Sequence, residues 1–112
     1  MLTDFPKLHF TNGPFNEYEW EVKLKGWFSG VTVELEGSAF YAVHFYDPVR
    51  LSQELQAQLE GIAKGWNSDP YIADVAMIVV PEITESNIRL AVQRLFDANW
   101  FDRFVPLSSL EA

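Results

Sequence analysis

From Tyr18 to Lys25 the chain reads YEWEVKLK, with Tyr18, Trp20, Val22 and Leu24 alternating with Glu19, Glu21, Lys23 and Lys25. A period of two puts the apolar set on one face of a strand and the charged set on the other, so this stretch predicts a half-buried strand. Gly26 interrupts the pattern, Ser29-Gly30 predicts a turn, and VTVELE repeats the alternation with Val31, Val33 and Leu35 facing one way. After a Gly37-Ser38 hairpin connection, AFYAVHFY over residues 39–46 is apolar on both faces, which predicts an interior strand. Upstream, KLHFTNGPF offers an edge strand before the Asn12-Gly13 turn signal, and Pro14 withholds a ladder donor directly after it.

The period changes at Pro48. Leu51, Leu55, Leu59 and Ile62 recur at helical spacing and predict an amphipathic helix over 48–64. Asp47 suits its N-cap, Pro48 its first turn, and Gly65 the left-handed residue after its end. VAMIVV, residues 75–80, is a continuous apolar run of the kind found in strands covered on both faces. Thr84 then caps a second helix with the stripe Ile88, Ala91, Val92, Leu95 and Phe96, ending near Asn99. These elements define an α+β fold: an antiparallel β-meander followed by a βαβ unit and a C-terminal helix, built as a two-layer sandwich with helices on one sheet face. Within the βαβ unit, residues 39–46 and VAMIVV run parallel through a right-handed crossover. No repeat, low-complexity segment or linker divides residues 1–112, which predicts a single domain.

Composition narrows the function classes. A chain of 112 residues that is 48% hydrophobic and 15% aromatic can bury a core without staples and is not a disordered polymer. It has no cysteine, which excludes disulfides, thiolate nucleophiles and cysteine-ligated metals. The formal charge of −8 is spread evenly along the chain, and a field of that sign repels phosphate backbones and anionic lipid. Nucleic acid and membrane are therefore not expected partners, whereas a basic protein surface is compatible. The opening MLTDFPKLHF has no basic stretch leading into an apolar run, and no run approaches the roughly 18 apolar residues of a membrane span, so a soluble cytoplasmic chain is expected.

Three places could carry function. The two parallel strands end on one rim, where His44, Tyr46 and Asp47 come near Pro81, Glu82 and the Thr84 cap. There His44 could act as base, with Asp47 orienting it and Glu82 as acid or ligand, in a small-molecule-binding or hydrolytic site. No metal-ligand spacing, glycine-rich phosphate loop or G-x-S-x-G elbow accompanies them, so no metal or cofactor is expected and the catalytic reading is the alternative one. In GWNSDPY, Trp66, Asn67, Asp69 and Tyr71 combine rigid aromatic area with adaptable polar groups, as recognition loops do, although the polar members are also ordinary turn formers. In WFDRFVPL, Trp100, Phe101 and Phe104 either cover the core or meet a partner. Size, acidity and layout resemble small bacterial immunity and inhibitor proteins in type, through no specific motif, and imply binding to a protein. The expectation is a non-catalytic protein-binding domain, of acidic inhibitor type, that also self-associates as a homodimer through its C-terminal aromatics.

Overall fold

The computed structural model describes residues 5–11, 13–37, 39–73 and 76–103. Four strands form one mixed sheet in the order β1 (Lys7–Phe10), β2 (Trp27–Leu35), β3 (Ala39–Tyr46) and β4 (Met77–Val79). The first three are antiparallel neighbours, and β4 lies parallel to β3. Helices α1 (Glu19–Lys25), α2 (Pro48–Ala63) and α3 (Glu85–Asp97) occupy the connections and follow the last strand, with short 3-10 turns at Phe15–Glu17 and Trp100–Arg103. The α+β class, the meander order, the edge strand at Lys7–Phe10 and the parallel βαβ pairing agree with the sequence pattern.

Register places the core. Leu8 opposes Val33, Phe10 opposes Val31, and Val33 and Val31 oppose Tyr41 and Val43 in turn, while Phe45 pairs with Ile78. These side chains share one sheet face, because alternate residues of a strand point the same way. Phe15, Val22, Ile83, Ile88, Val92 and Phe101 close over that face and are all buried. Each fully buried aliphatic group here is worth about 1.5–3 kcal/mol relative to exposure. The longest helix, α2, contributes no side chain to this core.

One expected strand is a helix. Residues 18–25 satisfy period two, but they also continue a helical stripe of Phe15, Tyr18 and Val22, spaced three and four apart, and it is this stripe that is packed on the core. The charges fit the helix as well. Glu19 and Glu21 lie in the first turn and Lys23 and Lys25 in the last, matching the helix dipole, and Lys25 pairs with Glu21 at 3.3 Å. Gly26 ends α1 with φ 77°, the left-handed geometry that glycine adopts without strain, and a Cβ there would come within 2.6 Å of Arg50 Cβ.

Ser29-Gly30, expected as a turn, lies inside β2 at a bulge. The β2–β3 register shifts between Phe28 and Val31, so two residues three apart both reach the core face, which an unbroken strand would not allow. Gly30 makes room for this: a Cβ would meet the Phe28 ring at 2.8 Å. Elsewhere the punctuation holds. The Arg50 N–H donates to Asp47 Oδ1 at 2.7 Å, the Asn87 N–H donates to Thr84 Oγ1 at 3.1 Å, and Gly65 and Asn99 are left-handed at φ 76° and 60°.

Candidate functional sites on the rim, the loop and the helices

At the rim, the parallel pairing brings the ends of β3 and β4 together, with Tyr46 opposite Val79. Its candidate side chains nevertheless diverge. Val43 and Phe45 are fully buried on the core face, so His44 between them points to the opposite face, in register with Met77. The Asp47 carboxylate is engaged as the α2 cap and lies against Gly26, whose carbonyl accepts from the Asp47 N–H at 2.9 Å. Glu82 is exposed and paired at 3.5 Å with Lys23 Nζ of α1, the helix on the core side of the sheet. Among the described residues, no three His, Asp or Glu groups are placed to hold a metal ion. His44 thus points away from the core-side face, while Glu82, beyond the end of β4, pairs with a helix on that side.

Loop residues 66–71 lie along α2. The Trp66 N–H donates to the Gly61 carbonyl at 2.8 Å, and Lys64 Nζ sits 4.7 Å above the Trp66 ring, which is still 63% exposed. Asn67 is exposed. Asp69 and Tyr71, also exposed, line an open cavity of about 550 Å³ with Glu54, Ala57, Gln58, Ile72 and Ala73.

The C-terminal aromatics turn inward. Phe101 is 1% exposed and packs on Tyr41 at 5.3 Å between ring centroids, while half-buried Trp100 meets the Phe101 ring edge-on at 5.2 Å. Phe101 is therefore a core residue of its own chain, packed beside Tyr41. Phe104 lies outside the described residues.

Two apolar surfaces are not evident from the sequence pattern. On α1, Trp20 is 66% exposed and Leu24 80% exposed, one helical turn apart on the side away from Val22. The period of two assigns both to a buried strand face; the ordering of glutamates before lysines ahead of Gly26 is the signal for the helix. On α2, the residues turned inward are Arg50, Glu54 and Gln58, which are half-buried, and Gly61, which sits against Ser68. Of the expected stripe, Leu51 is half-buried, whereas Leu55, Leu59 and Ile62 face out, exposed to 38%, 48% and 42%.

A second cavity of about 510 Å³ lies beside α1 and the β2 bulge, lined by Thr11, Tyr18, Glu21, Lys25, Trp27 and Ser29 among others. Tyr18 donates its hydroxyl to the Gly13 carbonyl at 3.3 Å, and burial of the phenol raises its pKa above the ordinary tyrosine value. No helix among the described residues is long and apolar enough to cross a membrane. Comparison with known proteins finds no matching family model, no matching curated protein and no matching solved structure.

Proposed function

We propose that this chain is a cytoplasmic, non-catalytic protein-binding domain whose acidic surface meets a basic partner. The observation that carries this reading is the outward pair Trp20 and Leu24 on α1. Ordering a tryptophan and a leucine on a helix without covering them forgoes burial energy, and rigid aromatic side chains of this kind are the commonest anchors of protein interfaces. Glu17 lies exposed one turn before Trp20, and the net charge of −8 favours encounter with a positive surface. The divergence of His44, Asp47 and Glu82 supports binding over the hydrolytic alternative.

The test is capture from host extract at low and high salt, with the wild-type chain and the Trp20→Ala/Leu24→Ala variant side by side. A specific basic partner is expected on the wild-type chain, held less well at high salt. The double variant should bind that partner at least about 30-fold more weakly, the loss expected of a central anchor worth about 2 kcal/mol or more. Its folding stability should stay within about 0.5 kcal/mol of wild type, because neither side chain touches the core. Equal retention by both chains, or no partner at either salt, refutes the reading.

A further inference from the structure

We infer that the exposed stripe of α2 docks on the same stripe of a second copy, giving a two-fold dimer held by an antiparallel helix pair. The inference shares with the proposed function the idea of a binding protein, but it uses a different surface and a different partner, so either can fail alone.

The orientation of α2 is the starting point. At 3.6 residues per turn, Arg50, Glu54, Gln58 and Gly61 form one row and Leu55, Leu59 and Ile62 form the next. The polar row is the one turned toward the rest of the chain, and the apolar row is open to solvent. A helix that only served its own fold would be rotated the other way.

Spacing and charge name the occupant. Leu55, Leu59 and Ile62 follow one another at four and three residues, the alternation by which helix seams interlock in pairs. Such a seam is self-complementary, as a two-fold interface requires. Copies carrying −8 each repel one another over most of their surface, so close approach needs a neutral patch. The stripe supplies one. Its flanking positions on the helix are Ser52, Gln58 and Ala63, none of them charged, and Arg50 and Glu54 neutralise each other at 3.0 Å. The nearest carboxylates are Glu54, paired with Arg50, and Glu60, turned to the side away from the seam, so a basic partner would find little charge there, whereas a second copy meets a matching neutral seam.

Area sets the strength. The uncovered parts of Leu55, Leu59 and Ile62 amount to roughly 200–300 Å² of apolar surface per copy. A standard interface buries about 800 Å² per partner, a little over half of it apolar. The seam alone covers about half of that apolar requirement, so the contact is weak and the assembly concentration-dependent.

The test is sedimentation and light scattering of the full chain from about 1 to 500 μM. Wild type is expected to move from monomer to dimer mass across that range, and Leu59→Glu/Ile62→Glu to remain monomeric throughout. Trp20→Ala/Leu24→Ala should dimerise like wild type, which separates this surface from the one on α1. Because the chain has no cysteine, Leu59→Cys introduces a single thiol near the two-fold axis and supplies a readout independent of any folding defect in the glutamate variant. Under mild oxidation Leu59→Cys should give a covalent dimer, and Leu24→Cys should not. A wild-type monomer at 500 μM, a dimer that survives Leu59→Glu/Ile62→Glu, or equal cross-linking at both thiol positions overturns the inference.

Discussion

Helices α2 and α3 carry the same kind of pattern and meet opposite fates. Both show apolar residues at helical spacing, and each begins at a side-chain cap supplied by Asp47 or Thr84. In α3 the stripe is used within the chain, with Ile88 and Val92 fully buried and Leu95 and Phe96 packed around them. In α2 the stripe beyond half-buried Leu51 is open to solvent, and the helix fully buries only Gly61. An apolar stripe at helical spacing thus states that a helix has something to bury, but not where the covering surface lies. The difference originates in what each helix is tied to. The N-terminus of α3 is held by the core-side helix α1, since the Glu85 N–H donates to the Glu19 carboxylate at 2.7 Å across 66 positions of sequence. The inner row of α2 instead meets Gly26 at Arg50 and its own return segment at Gly61, beside Ser68, and between them Glu54 and Gln58 line an open cavity with the loop through Ala73.

One substitution made in both helices gives the largest contrast. Ile88→Ala removes a fully buried side chain and should lower unfolding free energy by about 2–5 kcal/mol, through lost transfer energy and the cavity left behind. Ile62→Ala, the same chemistry in α2, should lower it by about 1 kcal/mol or less in dilute monomer, since that side chain lies outside the core and is 42% exposed. Urea titrations of the two variants at low micromolar concentration decide the matter. Comparable losses would mean that α2 is covered within its own chain.

The caps sharpen the contrast at a smaller scale. Thr84→Ala should cost about 1 kcal/mol of global stability, because α3 cannot fray without disturbing the core. Asp47→Ala deletes an equivalent hydrogen bond, yet its effect should appear mainly as local opening of α2, which adds nothing to that core. Amide exchange distinguishes the two: Thr84→Ala should lower protection throughout the core strands, and Asp47→Ala chiefly in the first turns of α2.

Most of this architecture could be read from spacing. Both long helices, their caps, the left-handed ends at Gly65 and Asn99 and the parallel pairing of β3 with β4 follow from local chemistry written into adjacent residues. The segment at 18–25 is ambiguous because it satisfies two periods together, and only Phe15, outside the alternating run, tips the balance toward the helix by completing a stripe with Tyr18 and Val22. The rim illustrates a different limit. Strand order brings His44, Asp47 and Glu82 to one end of the sheet, but proximity of strand ends says nothing about which side each side chain faces. Glu82 is drawn toward the core side by Lys23, a residue whose position depends on α1 being a helix. Phe101 is hard to place for a related reason, since an aromatic tail has the same composition whether it covers its own core or another molecule.

The smallest expected effect asks whether the α1–α3 side can be loosened while α2 is left alone. Tyr18 precedes α1, with its ring 5.3 Å from Phe15 and 5.9 Å from Phe28. Burial favours the neutral phenol, so its pKa in the folded chain lies above the value of about 10 that it has unfolded. The unfolded chain therefore loses this proton first as pH rises. The stabilisation from Tyr18 is fully present below about pH 10 and is lost as pH climbs from there through the folded pKa. Thermal midpoints measured from pH 8 to 11 should fall more steeply in wild type than in Tyr18→Phe, which lacks this ionisable group and differs from wild type nowhere else. Leu59→Glu/Ile62→Glu, at concentrations where every chain is monomeric, should keep the wild-type slope because its changes lie on the far side of the contrast. Parallel slopes for wild type and Tyr18→Phe would show that the Tyr18 phenol is no harder to ionise in the folded chain than in the unfolded one, and that high pH does not single out the α1–α3 side.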